Sequence, residues 1–281
     1  MSGVGPAVGP GILPGAVPGA SALPDAPSAS GAAIRVTGIV KHFGHIQALR
    51  GVSIAVHAGE IVALVGDNGA GKSTLAKVIC GSLQADDGQI SFWDRPVAIQ
   101  SITHAHELGL YTVYQDLAQA PDLTVAENFY LGRELYRAGV LGRLGILDRR
   151  RMQGETRTAL DHLGIRLKTI SAPVRELSGG QRQALAVARA TAWATTGLIL
   201  DEPTAALGTR QTGMVYEAIE AAAGRGLAVL VISHDIPRVL GAAHRVAVMR
   251  HGLVIADLAA AETNVDEVIG LMLGSSRVPG A

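Results

Sequence analysis

Ile61-Val62-Ala63-Leu64-Val65-Gly66-Asp67-Asn68-Gly69-Ala70-Gly71-Lys72-Ser73-Thr74 decides the fold of this chain. Ile61 to Val65 form a short, largely β-branched apolar run, the pattern of a buried strand. The run leads into Gly66-x-x-x-x-Gly71-Lys72-Ser73, and Leu75, Val78 and Ile79 behind it carry the period of a helix. Strand, glycine-rich turn and helix in that order make a phosphate-binding loop. Glycines at 66, 69 and 71 let successive N–H groups turn toward one phosphate chain, and the helix N-terminus adds partial positive charge. Lys72 can reach the β- and γ-phosphates, and the Ser73 hydroxyl can bind Mg²⁺. Gly66, Asp67, Asn68, Gly69, Ala70, Gly71, Lys72, Ser73 and Thr74 are therefore the candidate nucleotide-binding residues.

With 281 residues the chain can bury a substantial core. Its formal net charge of zero implies no field toward a nucleic acid or an anionic surface. A single cysteine, Cys80, excludes an internal disulfide and reads as a packing residue on the helix after the loop. No apolar run reaches the roughly 18 residues of a membrane span, so a soluble protein is expected. Residues 1–33 are built from Gly, Ala, Pro and Ser without lysine or arginine. They are expected to be a disordered tail, and they lack the basic start and apolar stretch of a signal peptide.

The folded part is expected to span 34–281. Ile34–Val36 and Val52–Val56 alternate and predict a small antiparallel sheet, and Asp86-Asp87-Gly88 predicts a hairpin turn before Gln89–Phe92. Residues from about 101 to 178 read as mostly helical around one strand, Leu110–Val113, and the basic run Arg149–Arg151 within them as a solvated face. Beyond Ser178, strands and helices alternate, which predicts a mainly parallel sheet covered on both faces.

Two further stretches carry chemistry. Leu198-Ile199-Leu200-Asp201-Glu202 is an apolar strand ending in two carboxylates. Asp201 suits the Mg²⁺ position at an adjoining strand end, and Glu202 is then aimed where a general base must hold the attacking water. Leu177-Ser178-Gly179-Gly180-Gln181 opens a strong helix, so Ser178, Gly179, Gly180 and Gln181 form a second anion-binding helix start. Two phosphate-reading elements with one lysine loop predict a nucleotide shared between two subunits.

In this order the motifs resemble the ATP-binding subunit of an ATP-binding-cassette (ABC) transporter, with Leu177–Gln181 matching that family's signature. The resemblance implies an α/β fold of the P-loop NTPase cassette type: a mainly parallel sheet, an antiparallel β subdomain and an inserted helical subdomain. It implies that Gln115 links Mg²⁺ and water to a membrane partner, that His234 contacts the γ-phosphate, and that Phe43 stacks on adenine. Catalysis would fall to Glu202, His234 and Gln115, and Mg²⁺ to Ser73, Gln115 and Asp201. Where many relatives carry aspartate, Thr204–Gly208 ends in Gly208. Val113–Leu117, Glu127–Glu134 and Leu271–Gly274 are similar to the ribose, xylose and fructose importers. The partners this implies are membrane permease subunits, indirectly a solute-binding protein, and a second or sister cassette, with no nucleic acid. The place implied is peripheral, on the cytoplasmic face of the inner membrane. Import of another small solute, or a soluble ATPase acting on ribosome or DNA, is the alternative.

Overall fold

The computed structural model describes residues 31–114, 117–205 and 207–275. The tail expected over 1–33 thus lies almost wholly outside the described residues. Its last two residues begin a strand instead, because Ala32 and Ala33 are fully buried in the first β-ladder.

Two sheets face each other. β1 (Ala32–Phe43), β2 (Ile46–His57), β4 (Asp87–Phe92) and β5 (Arg95–Pro96) form an antiparallel sheet in the order β2-β1-β4-β5. The larger sheet has the order β10-β9-β3-β8-β7-β6. Its strands are β3 (Ile61–Gly66), β6 (Leu110–Val113), β7 (Gly197–Asp201), β8 (Ala228–Ile232), β9 (Arg245–Arg250) and β10 (Leu253–Ala259). Every neighbouring pair in it is parallel except the edge pair β9–β10.

Side-chain alternation distributes the apolar residues of this sheet between two cores. Ile61, Ala63, Val65, Leu198, Leu200, Val229 and Val231 point to one, among the helices. Val62, Leu64, Ile199, Leu230 and Ile232 point to the other, against the antiparallel sheet and α1 (Lys72–Ile79). Burial on both faces explains why these strands read as unbroken apolar runs. Each buried valine, leucine or isoleucine among them contributes about 1.5–3 kcal/mol. Arg245 fastens the layers, donating to Glu60 at 2.7 Å and to Asp257 at 2.6 Å.

The helices over the first core include α6 (Gly179–Trp193) and α7 (Thr209–Gly224), with α8 (Ile236–Ala242) and α9 (Val265–Leu273) nearer the chain end. Between β5 and α6 lie α2 (Ile102–Glu107), α3 (Val125–Phe129), α4 (Val140–Arg143) and α5 (Arg149–His162). Two features differ from expectation. The segment predicted as mostly helical contains an antiparallel excursion: Tyr136 bridges Leu147, and Arg137 N–H donates to the Ile146 carbonyl at 2.9 Å. Asp86-Asp87-Gly88 is not a hairpin turn, because Asp87 and Gly88 already belong to β4, which pairs with β1. Asp86 instead accepts from Lys41 Nζ and His42 N–H, both at 2.6 Å.

Candidate functional site

The loop after β3 is shaped by close approaches that only glycine permits. A Cβ on Gly66 would lie 2.2 Å from the Met249 carbonyl oxygen of β9. Gly71 has φ 106°, and a Cβ there would lie 2.7 Å from the Ala48 carbonyl oxygen. The loop therefore presses against β2 and β9 and delivers α1 at a fixed angle. Lys72 curls back over it, with Nζ donating to the carbonyls of Gly66 at 2.6 Å and Asp67 at 2.9 Å. Burial pushes the Lys72 ammonium below its ordinary pKa, while Glu202, Asp201 and Asp67 act in the opposite direction. A buried lysine whose hydrogens rest on backbone carbonyls is a donor set ready to exchange them for phosphate oxygens.

β7 brings the carboxylates to the same place. Ser73 Oγ donates to Asp201 Oδ1 at 3.4 Å, putting a hydroxyl and a carboxylate side by side. Such hard oxygen donors fit Mg²⁺. Glu202 follows with φ 52°, a left-handed backbone unusual for a side chain of this size. Its N–H donates to the Ile232 carbonyl at 3.0 Å, and its Oε2 lies 2.6 Å from His234 Nδ1. With the carboxylate ionised it can only accept, so Nδ1 carries the proton. Lys72, Ser73, Asp201, Glu202 and His234 form one cluster, drawn from the C-terminal ends of adjacent parallel strands β3, β7 and β8. That is where ligands bind in parallel α/β sheets.

Phe43 closes β1 opposite Ile46 and is 49% exposed. It is therefore not a core residue, and it stands near the tip of the hairpin whose second strand carries Ala48 against Gly71. Gln115 lies outside the described residues.

Ser178 to Gln181 form a separate group. Ser178 caps α6 by accepting from Gln181 N–H at 3.3 Å, and Gln181 Oε1 accepts from Ser178 N–H at 3.0 Å. This reciprocal capping box satisfies the two residues locally. Among the described residues no hydrogen bond joins them to residues 66–74. Gln211, which sequence reasoning missed, belongs here. It accepts from Gly208 N–H at 3.3 Å, and its Nε2 lies 3.5 Å from Ser178 Oγ. A glutamine three residues after Gly208, at the N3 position of α7, was the available signal.

Gly180 faces Gln211 directly, since a Cβ on Gly180 would lie 2.5 Å from Gln211 Cβ. Gly180→Ala should therefore force α6 and α7 apart and cost about 1–3 kcal/mol. The check is a shifted urea midpoint at unchanged slope; an unmoved midpoint would contradict the close packing.

The cradle, the buried lysine and the paired carboxylates define a P-loop nucleotide-binding cassette. The family profile described as "ABC transporter" matches residues 49–205. The chain is 38% identical over 244 residues to the "Fructose import ATP-binding protein FrcA" of Rhizobium meliloti, covering 86% of this chain and 94% of the relative. It is 41% identical over 239 residues to the "Xylose/arabinose import ATP-binding protein XylG" of Sulfolobus acidocaldarius, covering 85% and 93%. A crystal structure of a nucleotide-free ATP-binding cassette from an ABC transporter superposes with TM-score 0.73 at 27% identity, covering 89% of this chain and 98% of that one. The chain belongs to the ABC transporter family, and it is an ATPase cassette of that family.

Proposed function

We propose that this chain is the ATP-hydrolysing subunit of a sugar importer, seated peripherally beneath a separate membrane permease on its cytoplasmic side. The observation that carries the chemistry is the Glu202 carboxylate at the end of β7, held 2.6 Å from His234 and beside the lysine loop. Sugar as the cargo is supported by the names of the fructose and xylose/arabinose relatives, which this chain matches over more than nine-tenths of their length. Among the described residues no helix is long and apolar enough to cross a membrane. The permease and an external solute-binding protein would therefore select and carry the sugar.

In this reading Lys72 leaves the Gly66 and Asp67 carbonyls and donates to the β- and γ-phosphates. Ser73 and Asp201, with Gln115, would hold Mg²⁺, which would supply charge neutralisation at the phosphates. Glu202 accepts the proton of the water whose oxygen bonds to the γ-phosphorus, and ADP departs with the β–γ bridging oxygen as the bond from that oxygen to the γ-phosphorus breaks. His234 orients the Glu202 carboxylate and then turns its imidazole to the γ-phosphate. Phe43 stacks on the adenine. Ser178 to Gln181 meet the nucleotide of a second cassette, a copy or a sister subunit, so that ATP closes the pair and hydrolysis reopens it.

Affinity capture of the tagged chain from gently solubilised native membranes tests this assignment. A polytopic permease should be recovered, accompanied by a solute-binding protein whose bound sugar can be identified. Recovery of only ribosomal or DNA-bound material would overturn the transport reading and leave the nucleotide chemistry standing.

A further inference from the structure

The excursion between α3 and α5 carries a patch that the nucleotide site does not use. Leu135 and Leu147 point inward and pack on the core, and Asp148 N–H donates to the Leu135 carbonyl at 2.7 Å. The tip beyond them is closely built, since a Cβ on Gly142 would lie 1.9 Å from the Arg137 carbonyl oxygen. Yet this ordered tip turns its apolar residues outward. Tyr136, Val140, Leu141, Leu144 and Ile146 are 41–70% exposed, five of the ten large apolar side chains exposed among the described residues. An apolar patch on well-formed backbone marks a contact surface.

Its charge says which kind. Residues 136–151 hold five arginines and one acidic residue, Asp148, whose side chain is engaged in capping α5. Arg149 pairs with Glu127 at 3.3 Å and Arg151 with Glu155 at 2.7 Å. Arg137, Arg143 and Arg150 are exposed, and among the described residues no carboxylate lies within ion-pair distance of them. In a chain of zero net charge this is a local excess of positive charge along and beside the exposed apolar tip. A matching surface must be apolar within and anionic at its rim. A bilayer with acidic headgroups meets both conditions.

The base of the excursion is anchored away from the nucleotide cluster. The Arg133 guanidinium lies 5.1 Å from the Trp193 ring centre, at the opposite end of α6 from Ser178. Lipid contact would therefore leave the phosphate-reading elements free.

We infer that the tip formed by residues 136–146, flanked by Arg137, Arg143 and Arg150, is a docking surface for an anionic lipid bilayer. It gives the cassette a membrane contact of its own, in addition to any made through a permease.

Flotation of the purified full chain with vesicles tests this without nucleotide or permease. The protein should float with phosphatidylglycerol–phosphatidylethanolamine vesicles, bind phosphatidylcholine vesicles far less, and be released as salt rises. Val140→Ser with Leu144→Ser should reduce binding, as should Arg137→Gln with Arg143→Gln and Arg150→Gln; the triple change should lower partitioning about a hundredfold, roughly fivefold per arginine. All these positions are exposed, so ATP affinity should match that of the unaltered chain and serves as the folding control. Absence of flotation on the anionic vesicles, or equal flotation of the variants, overturns the proposal. Self-association abolished by Val140→Ser with Leu144→Ser, while flotation is unchanged, would assign the patch to a second copy instead.

Discussion

Glu202→Gln is expected to keep ATP affinity within about threefold while lowering turnover by about 10²–10⁴-fold, the usual worth of a positioned general base. The amide preserves the shape of the side chain and can still accept from His234 Nδ1, so the 2.6 Å contact and the backbone at φ 52° have no reason to change. It cannot take a proton from water. The effect should therefore fall on steady-state phosphate release and leave nucleotide binding in place. If Glu202→Gln hydrolysed ATP at the unaltered rate, the base would have to be another group. A parallel loss of affinity would instead mean that Glu202 supports the loop through Lys72, which its charge also reaches.

Lys72→Ala should give the complementary result, with affinity lost before turnover can be measured. The Nζ hydrogens that rest on the Gly66 and Asp67 carbonyls are the ones available to phosphate oxygens. Hydrogen bonds to a charged group are worth about 1.5–3 kcal/mol each. Losing one or two of them raises the ATP dissociation constant by about 10–10⁴-fold. The same substitution strips two carbonyls of their donor, so the loop should also lose stability. Calorimetric titration with ATP separates these effects when read beside a melting curve, and a dissociation constant within threefold of normal would remove Lys72 from the binding machinery. The two variants thus divide binding from chemistry at neighbouring positions.

The sequence was most readable where a backbone constraint and a chemical one coincide. The loop from Gly66 to Ser73 needs glycine for its approach to Met249 and Ala48, and lysine for charge, so composition alone exposes it. The strands Leu110–Val113, Gly197–Asp201 and Ala228–Ile232 were likewise visible, because sheet strands buried on both faces read as largely apolar runs. The lengths of β1 and β2 were hidden. Gly38 at φ 63° and Gly51 at φ 100° accompany shifts of register within the ladder, and each shift breaks the alternation that a pattern search follows. The excursion at 136–146 was hidden for the opposite reason. Its apolar residues face outward, so their spacing records no core. Gln211 escaped because its partners, Gly208 and Ser178, lie on different elements that only the packing of α6 on α7 brings together.

The left-handed backbone at Glu202 sets activity against endurance. Holding a non-glycine residue in that region costs about 1–2 kcal/mol relative to a right-handed one, and glycine would adopt it without strain. A selection for heat tolerance alone would therefore favour Glu202→Gly, gaining a firmer scaffold by discarding the carboxylate proposed as the general base. Thermostable descendants of this cassette should be screened for hydrolysis before they are prized for their melting points.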